Sequence, residues 1–338
     1  MLHLRVMCPA EVTDAVLDKL RNQPGAVHLT IARGVAVDPP GDLVQADVVR
    51  EAVDGLLADL CELGIDHLGG ITLQPLDTVL SDAADAAALA APGEPADAVV
   101  WEELIARTGN DSRLTFTFMA FLALACLIAV VGVVTDSPIT VVGAMVVGPE
   151  FAPLAALAVG LVLRRGDLLR RAALALGVGF PMAMLIAAAG ALLSEWIGLI
   201  DLGVVGSLKH VDFIYQVGPF SLILAMLAGA AGMLSLTSAK SAALIGVFIS
   251  VTTVPAAAFA ALAVTTGAWR TAVESTVQLL VNLGGIAFAG VLVLLLTLVV
   301  KLRDTPRRSV TCGFPGWIMW CAVAFSLVGP QTGVCGVG

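Results

Sequence analysis

Glu150 is the side chain best placed to do chemistry in this sequence. It lies inside an apolar run, Ser137 to Arg164, that Gly143, Gly148-Pro149-Glu150 and Pro153 interrupt. The run is long enough to cross a bilayer, which needs about 20 residues. Proline in a helix frees backbone carbonyls. In hydrocarbon, freed backbone and a carboxyl group persist only where protein or a water-lined cavity satisfies them. Two chemistries fit Glu150. It is a proton, cation or solute contact, or it is a carboxyl bonded to carbonyls freed beside Pro149 or Pro153.

A second group lies later in the chain. Ser250, Thr252 and Thr253 precede Pro255, and their hydroxyls can bond local carbonyls or line a path. Asn282 is followed by Gly284-Gly285. A buried amide at that point can bridge to the broken backbone of another span. The candidate substrate or ion path is therefore Gly143, Pro149, Glu150, Pro153, Ser250, Thr252, Thr253, Pro255 and Asn282. No nucleophile–base pair, zinc spacing or phosphate loop is legible in the order of residues. The sequence thus disfavours an enzyme, and it calls for no metal or cofactor. The six cysteines (Cys8, Cys61, Cys126, Cys312, Cys321, Cys335) show no CxxC pattern and read as small buried hydrophobes.

Composition supplies the elements that must hold these residues. Hydrophobic residues make up 58% of the chain and charged residues 13%, with a mean hydropathy of +0.95. Soluble domains carry about 25% charged residues, so a membrane protein is expected. Charge is segregated. Residues 1–113 hold 7 Lys and Arg against 19 Asp and Glu; the remainder holds 11 against 8. The acidic front excludes nucleic acid as a partner. No secretory leader is expected, because Met1–Cys8 alternates and an amphipathic segment follows at once.

Six spans are expected: Leu114–Val134, Ile139–Leu163, Leu168–Leu193, Pro219–Leu236, Ala242–Thr266 and Val277–Val300. With residue 113 in the cytoplasm, eleven of the flanking cations fall inside and only Lys209 and Arg270 outside. Trp196 and Tyr215 suit the outer interface. Asp136 and Ser137 are expected to cap the second span. Spans 1–3 and 4–6 read as two copies whose middle helix is broken. Three spans per copy make the copies run in opposite directions, an inverted 3+3 repeat of the kind that places a substrate site near the midplane.

The front end reads as βαββαβ, the ferredoxin-like order. Strands are expected at Leu2–Met7, Val27–Val37 with an interruption at Arg33-Gly34, Leu43–Val48 and Gly69–Leu76. Helices are expected at Pro9–Arg21, with Pro9 in the first turn, and at Arg50–Leu63. His3, His28 and His67 read as surface or edge histidines. Residues 77–96 read as an Ala/Asp/Pro-rich linker, 97–108 as an interfacial helix, and Gly109–Ser112 as a stop with a new N-cap. The domains expected are thus 1–76, a linker and interfacial helix over 77–113, a six-helix membrane domain over 114–308, and an apolar tail over 309–338 with no assigned role.

The stretch Ser137-Pro138-Ile139-Thr140-Val141-Val142-Gly143-Ala144-Met145-Val146-Val147-Gly148-Pro149-Glu150-Phe151-Ala152-Pro153 resembles the hallmark S-x-x-x-V-x-G-A-M-x-x-x-P-x-x-x-P of the domain-of-unknown-function 389 family of prokaryotic membrane proteins. Gly246 with Pro255, and Asn282, are similar to its later motifs. The likeness covers about residues 110–300, and the front domain also resembles the family's N-terminal extension. Glu150 stands where the commonest family form is apolar, and the fifth span carries one proline where many members have two. The resemblance implies an architecture rather than an activity. The expectation is a polytopic inner-membrane protein, transporter- or channel-like, for a small solute or ion, regulated or oligomerised through its cytoplasmic domain. The alternative is a non-transporting scaffold or sensor whose front domain binds a ligand. The partners expected are the bilayer, a small solute or ion, and further copies of the chain.

Overall fold

The computed structural model describes residues 1–76, 78–91, 99–199, 219–237 and 253–304. The described chain divides into two compact units, the first over Met1–Val100 with residues 296–304 and the second over Trp101–Leu295.

The first unit is built on a four-stranded antiparallel sheet: β1 (Leu2–Cys8), β2 (Ala26–Val37), β3 (Pro40–Val48) and β4 (Gly70–Pro75), in the order β2-β3-β1-β4. Period-2 alternation in β1 buries Leu2, Leu4, Val6 and Cys8. On these pack α1 (Thr13–Arg21), through Val16, Leu17 and Leu20, and α2 (Arg50–Glu62), through Val53, Leu56, Leu57 and Leu60. This is the ferredoxin-like topology. A short helix, α3 (Ile65–Leu68), precedes β4. β2 runs unbroken through Arg33-Gly34. Its two register shifts contain His28 (φ 53°) and Gly34 (φ 66°), so the expected interruption is a bulge. Helix α1 begins four residues later than expected. Pro9 lies outside it, its carbonyl accepting from Val12 N and from Thr13 Oγ1.

The linker reading of 77–96 is corrected. It contains α4 (Asp82–Ala90), with Ser81 as N-cap accepting from Ala84 N, and with Ala84 and Ala87 buried. Alanine is a strong helix former, and the cap supplies the start.

The second unit opens with α5 (Trp101–Asp111), whose buried Trp101, Leu104 and Thr108 mark its packed face; it packs against α8, described below. It ends at Asp111, inside the expected stop at Gly109–Ser112. The cap of the next helix is Thr115, whose hydroxyl accepts from Phe118 N at 3.1 Å. Then come α6 (Phe116–Val134), α7 (Pro138–Val147), α8 (Phe151–Val162), α9 (Gly166–Trp196), α10 (Pro219–Thr237), α11 (Val254–Thr265) and α12 (Trp269–Asp304). Ser137 caps α7, accepting from Thr140 N. α7 and α8 are not one straight span; they are bent by 52° across Gly148-Pro149-Glu150. Four described helices are long and apolar enough to cross a membrane, five if the bent pair is one span. Residues 242–252 of the expected fifth span lie outside the described residues. The sixth helix starts eight residues before its expected limit, at Trp269.

One alanine-rich core joins α6 to α12. α6 packs on α7, α9 and α11, and α9 packs on α8 and α11. Contacts are close where side chains are smallest: a Cβ on Gly132 of α6 would lie 2.8 Å from Val141 N of α7.

The helix bounds carry a regularity. α6 and α10 each have 19 residues, α8 and α11 each have 12, and α10, α11 and α12 each begin 103 residues after α6, α8 and α9. The turns after α8 and α11 agree in detail. Arg164 (φ 53°) and Gly267 (φ 73°) occupy the left-handed region, and Arg165 N donates to Gly160 O as Ala268 N donates to Ala263 O. Buried positions 122, 125, 126, 129 and 130 of α6 recur at 225, 228, 229, 232 and 233 of α10.

Candidate functional site

Glu150 is the N-cap residue of α8, in the gap that the 52° bend opens. α7 ends at Val147 because Pro149 cannot donate to the helical ladder. α8 restarts at Phe151, and Pro153 sits in its first turn, where a missing N–H costs nothing. Glu150 is fully buried, and its Oε1 accepts from Thr253 Oγ1 at 2.6 Å. Thr253 is also fully buried. It is the N-cap residue of α11, with Pro255 in that helix's first turn. The N-cap residues of α8 and α11, distant in sequence, are thus joined by a hydroxyl–carboxyl bond.

The N-termini of α8 and α11 both lie at this bond. Helix N-termini carry partial positive charge from unpaired N–H groups, which favours a carboxylate or another anion there. Among the described residues, Cys126 of α6, Leu154 of α8 and Val254 of α11 all belong to the buried core.

The other expected residues fall differently. Gly143 lies on an exposed face of α7, and a Cβ there would meet nothing within 4 Å, so packing does not demand glycine at that position. Ser250 and Thr252 lie outside the described residues. Asn282 forms a second cluster. It stands thirteen residues into α12, about 20 Å along the helix. Its amide oxygen accepts from Ser221 Oγ of α10 at 3.0 Å. Gln278 Nε2 donates to the same Ser221 hydroxyl. Ser275 and Gln278 were missed in the sequence. Both are buried on α12, beside Asn282 at helical spacing.

In the first unit, the outer face of the sheet brings two histidines to one carboxylate. His3 Nδ1 donates to Asp47 Oδ1 and His28 Nδ1 to Oδ2, each at 2.7 Å, and Ser81 Oγ meets His28 Nε2 at 2.9 Å. Burial works to raise the Asp47 pKa, but the bonds from His3 and His28 together hold it below the ordinary carboxylate value. The chain Ser81–His28–Asp47 has the order of a hydrolytic triad. Ser81 is also the cap of α4, so this chain ties α4 to the sheet. On the helix-covered side, Asp42 is buried and accepts from Gly34 N and Thr13 Oγ1, both at 2.8 Å. These bonds, that from Gly34 first, pull its pKa down. Among the described residues no group of three or more His, Cys, Asp or Glu could hold a metal ion.

Residues 145–288 match the family model described as Domain of unknown function (DUF389). The match runs from Met145 of the Gly-Ala-Met motif past Asn282, so it contains both polar clusters. The likeness read from the sequence holds over these residues. No curated protein and no solved structure matches the chain.

Proposed function

Taking residues 145–288 as a DUF389 domain, we propose that the chain is a multi-pass protein of the cytoplasmic membrane that moves a small solute or ion. In this reading six crossings form two oppositely inserted halves, 114–200 and 217–304. Residues 113 and 301 face the cytoplasm, where the Arg164, Arg165, Arg170 and Arg171 cluster also lies. The first unit regulates the membrane part or pairs copies of the chain; the apolar side chains Ile31, Val35 and Val37 exposed on edge strand β2 support pairing.

One observation carries the reading. Glu150 and Thr253 are counterparts under the 103-residue offset, and they touch. Two residues related by a two-fold rotation meet only on its axis. If a two-fold rotation relates the halves, the bond lies on its axis, at the N-termini of α8 and α11, and the meeting of two such helix ends is where midplane sites of inverted-repeat transporters lie. The complete burial of Glu150 in an alanine-rich core favours a second reading, in which the bundle is a non-transporting scaffold and the first unit senses a ligand.

Flux into liposomes separates the two. Wild type is expected to exceed lipid background, with Glu150→Gln and Asn282→Ala reduced. Equal background flux in all three proteins favours the scaffold.

A further inference from the structure

The two halves share their packing but not their chemistry. In the first half, Ala172, Ala175 and Gly179 line one buried face of α9, and the ring of Phe118 on α6 covers it; a Cβ on Gly179 would lie 3.0 Å from that ring. The counterparts at the 103-residue offset are Ser275, Gln278 and Asn282 on α12 and Ser221 on α10. All three α12 residues are at most 3% exposed. Four apolar residues are replaced by four polar ones at one place in the fold. The architecture is satisfied by the apolar set, so the polar set is not there for packing.

Nor is the polar set self-sufficient. Gln278 donates to Ser221, and Ser221 to Asn282. Among the described residues, Ser275 Oγ and Gln278 Oε1 are buried with no hydrogen-bond partner. A buried polar atom left unpaired is costly, and more so in an apolar bundle. Both oxygens can accept, and they lie one helical turn apart on the same face. They call for something that brings hydrogen-bond donors. None of the four residues is charged, and a charged guest in such a wall would need a countercharge.

We propose that Ser275, Gln278, Asn282 and Ser221 form a binding site in the second half for a small uncharged polar solute that donates hydrogen bonds, of the size of urea or glycerol. This rests on the two-half transport reading and names its substrate class.

The test uses the full chain, and the first half supplies its control. Ser275→Cys and Ala172→Cys are each treated with an uncharged hydroxyethyl thiosulfonate and with a charged sulfonatoethyl one, with the native chain as blank. The Ser275→Cys thiol is expected to react about tenfold faster than the Ala172→Cys thiol with the uncharged reagent, and more slowly with the charged one. Tenfold corresponds to one contact's worth of differential access. The pair Ser275→Ala, Gln278→Ala restores the residues that the first half tolerates, so the fold is retained. In proteoliposomes followed by light scattering, urea and glycerol flux are expected to fall about tenfold in that variant. Equal labelling of the two cysteines overturns the site, as does preference for the charged reagent. Selective labelling with unchanged flux in the double variant also overturns it. Selective labelling with wild-type flux at lipid background leaves the site standing and overturns the transport reading instead.

Discussion

Thr253→Val tests the contact between the N-termini of α8 and α11. Valine keeps the shape of threonine and removes only the hydroxyl. Both partners are fully buried and the bond is 2.6 Å long. The loss of a buried bond to a carboxyl group costs about 1–3 kcal/mol. Glu150→Leu is expected to cost at least as much, because the Thr253 hydroxyl is then stranded and every other contact of the carboxyl is lost. With both replaced, neither hydroxyl nor carboxyl is stranded, so the double variant is expected to be more stable than the sum of the singles by about 1–3 kcal/mol. Other contacts of Glu150 cancel in that cycle. Unfolding in mixed micelles with increasing denaturing detergent gives the four stabilities. Additivity within about 0.5 kcal/mol would refute the contact, and with it the two-fold axis proposed there.

Glycine at two positions should behave oppositely. A Cβ on Gly229 would lie 2.5 Å from Ile286 O and 2.7 Å from Ile286 Cα. Gly229→Ala must push α10 from α12 and is expected to cost about 1–3 kcal/mol or more. Gly143→Ala meets nothing within 4 Å and should be neutral or stabilising by up to about 1 kcal/mol, from helix propensity; equal melting shifts for the two would contradict the packing. Asp42 titrates below its ordinary value of 3.8 in the folded chain, held there first by Gly34 N–H and then by Thr13. Its contribution is present above the unfolded value and is lost as pH falls through the folded one. The first unit should therefore lose stability below about pH 4, and Asp42→Asn should flatten that loss in melting curves taken from about pH 6 to about pH 3.

The soluble topology was legible because alternation in Leu2–Cys8 and the stripe Val53, Leu56, Leu57, Leu60 are strong periodic signals with Gly and Pro between them. Helix α4 was hidden by composition. Its buried contacts are alanine methyls, and neither length nor hydropathy separates Asp82–Ala90 from a flexible tether. The break at Gly148-Pro149-Glu150 was legible from proline chemistry. Its partner was not. Ser250, Thr252 and Thr253 were equivalent on paper, and only three-dimensional placement puts Thr253 on the Glu150 carboxyl. Of the polar face of α12, Ser275 was cut off by the hydropathy limit set at Val277, since Arg270, Glu274 and Ser275 depress the first two turns of a helix that begins at Trp269, whereas Gln278 and Asn282 lay inside the expected span. The 103-residue spacing was available as a signal, because Gly143 and Gly246 already differ by it, but helix bounds were needed to see that whole elements follow it.

Opposite insertion of the two halves is the central claim, and the paired turns after α8 and α11 test it most directly. Their geometry is the same, with Arg165 N on Gly160 O and Ala268 N on Ala263 O. If each broken middle helix crosses the bilayer, the turns emerge on opposite faces; if each only dips in and returns, they emerge on one. Impermeant thiol labelling of Arg165→Cys and Ala268→Cys in right-side-out and inverted vesicles gives the answer. The account predicts labelling of Arg165→Cys from the cytoplasmic face only and of Ala268→Cys from the outer face only. Labelling of both from the same face would contradict it.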